Sequence, residues 1–141
     1  MQGRTVCFLL IALLAGCGGG GPKSDPDAIH QLVKDAAKAV ADRDGDKACG
    51  YLTPEAQQQV VQLAGGAFGG SDCAGVVKLV TATLAPLDRK QIEDAEPQNL
   101  TISGTTATAD VVVPSPTNQG PSLQLTLQKI GEDWKIAGVS L

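Results

Sequence analysis

Ser122-Leu123-Gln124-Leu125-Thr126-Leu127-Gln128-Lys129-Ile130-Gly131-Glu132-Asp133-Trp134-Lys135-Ile136 is the stretch that decides the kind of fold. Leu123, Leu125 and Leu127 alternate with Gln124, Thr126 and Gln128, so one face is dry and the other wet. That is the pattern of a half-buried antiparallel strand. Gly131-Glu132-Asp133 reads as a turn, and Trp134 to Leu141 as the closing strand. The same period runs upstream. Leu100 and Ile102 alternate with polar residues, Ser103-Gly104 turns, and Ala107, Ala109, Val111 and Val113 continue on a partner strand. Pro114, Pro116, Asn118, Gly120 and Pro121 make the loop between the two hairpins. The inner face of the last strand stays open. Trp134 and Ile136 share one parity, Ala137 and Val139 the other, and a bulge would mix them.

Before residue 86 the period is helical. Asp25-Pro26 reads as a capping carboxylate followed by a first-turn proline. Ile29, Leu32, Val33, Ala36, Ala37 and Val40 then form one apolar stripe. Asp44-Gly45 signals a turn, so this helix should end near Asp42. Lys47 to Leu52 suggests a short second helix, and Thr53-Pro54-Glu55 starts a third with Ala56, Val60, Leu63 and Ala64 inside. Gly65 to Gly70 should break it. Ser71 should cap a fourth helix, with Cys73, Val76, Val77, Val80 and Leu84 at helical spacing until Pro86 ends it. Helices first and antiparallel strands second predict an α+β layout over residues 26–141.

The first seventeen residues carry an address. Val6 to Ala15 is apolar and follows Arg4. About ten apolar residues suit a signal-peptide core and fall short of the roughly 20 of a spanning helix. Leu14-Ala15-Gly16-Cys17 then resembles the lipobox of bacterial lipoproteins. The resemblance implies cleavage before Cys17, a diacylglyceryl thioether on its sulfur and an acylated new amino terminus. Residues 17–25, with Gly18 to Gly21, would be a tether. Its seven Gly-rich residues span on the order of 15 Å. The chain would sit in the cell envelope, lipid-anchored on the extracytoplasmic face of a membrane.

Taking 16 residues from 141 leaves 125, enough for one self-sufficient core. Arg4 is the only charged residue removed, so the net charge passes from −4 to −5. An acidic domain without a Lys/Arg cluster argues against nucleic acid as a partner. Of the four cysteines, Cys7 leaves with the signal peptide and Cys17 takes the lipid. Cys49 and Cys73 remain, an even pair in an oxidising compartment, which predicts a disulfide. Two cysteines and one distant His30 do not make a metal ligand set, and no cofactor is expected.

Asp44-Gly45-Asp46-Lys47-Ala48-Cys49, then Leu52-Thr53-Pro54-Glu55 and Asp72-Cys73, resembles a segment of small lipoproteins of actinobacteria and similar bacteria. Gly131-Glu132-Asp133-Trp134-Lys135-Ile136 is similar to the closing hairpin of nuclear transport factor 2-like (NTF2-like, cystatin-like cone) domains. The resemblance implies N-terminal helices packed on a bent antiparallel sheet, with a cavity between them. Its members include isomerases, cyclases, dehydratases and non-enzymatic binding domains, so the fold does not choose an activity.

Enzymes of that fold use an Asp, His or Tyr in the cone as acid or base. Asp110 shares parity with Thr106 and Thr108, the solvated side, and His30 lies beside the first helix's stripe. Tyr51 and Trp134 are candidates for the cavity mouth, with core packing as the plainer reading. Phe68 stands in the Gly65–Gly70 stretch as a contact candidate. That stretch lacks the Lys and Ser/Thr of a phosphate loop, and Asp72 after it repels anions. The expectation is a tethered, disulfide-stabilised, non-catalytic domain for a small apolar ligand or an envelope partner. The alternatives are an isomerase- or hydratase-like enzyme using the cone and a pure protein-interaction module.

Overall fold

The computed structural model describes residues 24–114 and 122–140. The segment expected as a signal peptide, Cys17, most of the expected tether and residues 115–121 of the proline-rich loop lie outside them. The fold is α+β. Helices α1 (Asp25–Ala41), α2 (Gly45–Gly50), α3 (Pro54–Val60), α4 (Gly66–Phe68), α5 (Cys73–Ala82) and α6 (Pro86–Glu93) precede strands β1 (Glu96–Ser103), β2 (Thr106–Val112), β3 (Ser122–Ile130) and β4 (Asp133–Ser140). The strands pair antiparallel in chain order, β1-β2-β3-β4.

Ser24, not Asp25, caps α1: its hydroxyl oxygen accepts from the Asp27 N–H. Asp25 is drawn off to the sheet, where its carboxylate accepts from Lys129 Nζ at 2.7 Å and Trp134 Nε1 at 3.0 Å. Ile29, Leu32 and Val33 enter the core as their spacing predicts, beside Ala107, Ala109, Val111, Leu125, Leu127 and Ile136 of the sheet. Asp44-Gly45 is a cap rather than a bare turn. The Asp44 carboxylate accepts from the Lys47 N–H at 3.1 Å, so α2 begins two residues before Lys47. Gly45 lets α2 come against α5, since a Cβ there would clash with the Ala74 carbonyl. The disulfide between Cys49 and Cys73 joins the same two helices with Cα atoms 6.1 Å apart.

The helix from Thr53 departs from its expected course. Residues Val61–Gly65 form a π-helical turn, and the chain stays helical through Gly65 and Gly66 to Phe68. The wider turn slips the side-chain register. Leu63, expected inside, is 71 % exposed, and Gly65 is buried. The break falls at Gly69, whose φ of 78° ends the helix. Asp72 rather than Ser71 caps α5, accepting from the Gly75 N–H at 2.6 Å. Pro86, expected only as a terminator, also opens α6 at its first position. α6 packs against α1.

The sheet keeps its expected alternation. Ala107, Ala109, Leu125 and Leu127 face the helices, while Thr106, Thr108, Thr126 and Gln128 face solvent. The open parity of β4 is settled by a bulge. Leu127 pairs with Ile136 but Thr126 with Gly138, leaving Ala137 as the extra residue. Trp134 and Ile136 therefore point inward, and past the bulge Val139 does too, opposite Leu125. The free edge of β4 is covered. Ile136 N–H donates to the Tyr51 carbonyl and its carbonyl accepts from Thr53 N–H, both at 2.9 Å. The Gln59 amide bonds both backbone groups of Val139. An edge satisfied in this way offers no template to another strand.

Candidate functional site

Between the helices and the inner sheet face lies a cavity of about 540 Å³. Val33, Ala36, Ala37 and Val40 supply its α1 wall, and Ala48, Val60 and Val77 come from α2, α3 and α5. Val111, Leu123, Leu125, Ile136 and Val139 form the sheet wall. Asp88, Gln91 and Ile92 of α6, with Ala95 after it, and Leu52, Leu84 and Val113 between elements complete the lining; Asp88 and Gln91 are its polar members. The void has a cause in the residue types. The helical walls are largely Ala and Val, and the whole chain holds two Phe, one Trp and one Tyr. Small side chains on the helical walls leave room against the sheet that larger ones would fill. A pocket of several hundred Å³, apolar with a few polar groups, is the usual form of a small-molecule site.

The side chains singled out from sequence do not assemble there. Trp134, 4 % exposed, belongs to the packed core, with its N–H turned to Asp25 and Lys129 Nζ 5.9 Å from the ring centre. Tyr51 packs half-buried against the same core, held by its own backbone pairing to Ile136. Phe68, 42 % exposed, stands on α4 outside the cavity. None of the three is among the lining residues; Trp134 and Tyr51 follow the plainer reading of core packing, and Phe68 stays exposed. The reason is positional. Trp134 lies at the start of β4, close to the first turn of α1, whereas the cavity opens along the second half of that helix.

The candidate acid–base residues are likewise apart. Asp110 is on the outer sheet face and accepts from Asn99 Nδ2 at 3.0 Å. Asn99 sits at a β1 bulge in the left-handed region, φ 49°. His30 lines a second pocket, of about 420 Å³, with Asp27, Gln31, Lys34 and Glu96. Among the described residues no three His, Cys, Asp or Glu side chains converge as metal ligands, and no helix is long and apolar enough to cross a membrane. The displaced charge is at Asp25. Hydrogen bonds from Lys129 and then Trp134 hold its carboxyl below the ordinary value of 3.8, against a smaller desolvation effect. Lys38 is raised above its ordinary value by its hydrogen bond to Asp42, with the charges of Asp42 and Glu93 adding to it.

The contribution of α6 to the cavity was not seen in the sequence. Ala85-Pro86-Leu87-Asp88 does carry a helix-start signal, a first-turn proline with an acid after it.

No protein-family model matches the chain. No curated protein matches it either. Among solved structures, it is similar to a chain in the crystal structure of the type VI native effector–immunity complex Tae3–Tai3 from Ralstonia pickettii. The likeness has a TM-score of 0.46 at 14 % identity, covering 78 % of this chain and 91 % of that one.

Proposed function

We propose that the chain is a bacterial lipoprotein, anchored through acylated Cys17 outside the membrane, whose NTF2-like domain holds a small apolar ligand and performs no chemistry on it. The observation that carries this reading is the apolar cavity of about 540 Å³ between α1 and the sheet. Apolar lining of that extent left facing water is a standing cost to a folded protein. A ligand covers that lining, and the tether keeps the domain within reach of membrane-derived apolar molecules. Native mass spectrometry of the full chain, gently purified from its own host, tests the reading. A reproducible extra mass that departs on denaturation is expected. A bare mass in every preparation would overturn it.

A second reading, docking of an envelope protein, is favoured by Leu63 and Phe68, which stand exposed on the π-turn and α4. Photo-crosslinking from position 68 in the native envelope tests it. Capture of one reproducible partner is expected under this reading, and labelling of lipid alone would dismiss it.

A further inference from the structure

The two polar residues of the cavity lining, Asp88 and Gln91, are three apart on α6 and so share one face with Ile92 and, past the helix end, Ala95. Neither takes a hydrogen bond or ion pair from the described residues. Asp88 is exposed and Gln91 half-buried, which puts them at the rim, while Ala95 is buried. Neither basic residue of α6 lines the cavity: Lys90 pairs with Asp94 at 3.3 Å, and Arg89 is half-buried with its Nε unpartnered among the described residues. The charge that lines the cavity is therefore a single carboxylate, next to an amide that both donates and accepts.

We propose that the cavity takes a single-chain amphiphile whose head is a hydroxyl or amine, and disfavours fatty-acid anions. This inference rests on reading the cavity as a ligand site. A methylene fills about as much space as a water, whose share is about 30 Å³, so the cavity accommodates a chain on the order of fifteen carbons. The tail lies against Ala36, Ala37, Val77 and Leu125, and the head stops at the α6 rim. A hydroxyl or amine there donates to the Asp88 carboxylate and pairs with the Gln91 amide. A carboxylate head instead faces Asp88. Two like charges about 4 Å apart repel about fivefold in affinity in water-like surroundings, and more strongly as the mouth dries.

The test uses the full chain in phosphatidylcholine nanodiscs with two diazirine probes, hexadecanol and hexadecanoic acid. It is run at about pH 9, well above the carboxylate range. After irradiation, peptides from α1 and β3 are mapped for label. The alcohol should label them at least about fivefold more than the acid. Asp88→Asn, at an exposed position that leaves the packed core untouched, should bring the two probes together, raising the acid by removing the repelling charge and lowering the alcohol, whose hydroxyl loses a charged acceptor. Equal labelling by both probes in the parent chain, or an Asp88→Asn variant with the same preference, overturns the head-group selection and leaves the cavity a ligand site. Absence of cavity label with either probe overturns the ligand reading as well.

Discussion

Thr53 and Asp25 show how much single side chains carry here. Thr53, 2 % exposed, caps α3 through its hydroxyl, which accepts from Ala56 N–H at 3.2 Å, while its own N–H pairs with β4. Thr53→Ala removes the cap and leaves a buried donor unpaired, so a loss of about 1–2 kcal/mol is expected in urea unfolding. Asp25 links the start of α1 to the closing hairpin through Lys129 and Trp134. Its folded pKa is depressed, so its contribution is present above the unfolded value of 3.8 and is lost as pH falls through the lower folded one. The urea midpoints of the parent and Asp25→Asn should therefore differ near neutrality and converge in acid. A gap that persisted unchanged below the carboxylate range would mean that Asp25 acts by shape rather than charge. Lys38 has the opposite sign, because its raised pKa makes its contribution present below the ordinary lysine range and lost as pH climbs through the folded value.

At the level of elements, the π-turn and the disulfide each make a prediction that urea unfolding can read. Because the π-turn carries Leu63 outward, Leu63→Ser should change stability by less than about 0.5 kcal/mol. Val76, 1 % exposed on α5, should lose about 2 kcal/mol on substitution by Ala. Equal costs at the two positions would put Leu63 back inside. Reduction of Cys49–Cys73, 24 residues apart, should cost about 3.5 kcal/mol, read from urea curves with and without thiol. What the sequence made legible follows from which elements have a one-sided pattern. Leu123, Leu125 and Leu127 could be placed by parity alone, and Ile29, Leu32 and Val33 by the helical period. The β4 bulge at Ala137 was open to either reading, because an extra residue leaves no mark in composition. α6 escaped notice because Leu87 is exposed and the helix has no continuous stripe, and the π-turn because glycines ordinarily end helices.

The cavity belongs to the molecule as a whole, and for that reason it was the least legible feature. It is made by five helices and three strands, with small Ala and Val side chains prominent on the helical side. A sequence displays side chains, and a void is the volume they fail to fill. The charge, by contrast, was legible at once and argues at this scale against an anionic polymer as partner. A ligand that occupies the cavity binds the folded state alone, so at a hundredfold excess over its Kd it adds about 2.7 kcal/mol. For a domain of this size that is a rise in Tm on the order of 10 °C. Thermal scans of the full chain with increasing long-chain alcohol should show it, and a Tm indifferent to concentration would speak against occupancy. The covalent bond between Cys49 and Cys73 has one further consequence. It turns α2, α3, the π-turn and α4 into a closed ring, with the exposed Phe68-Gly69 on its circumference. A protease that nicks the ring there leaves the two fragments linked. The molecule runs as one piece on a non-reducing gel and as two after reduction. Cleavage of the backbone and separation of its two fragments are thereby distinct events.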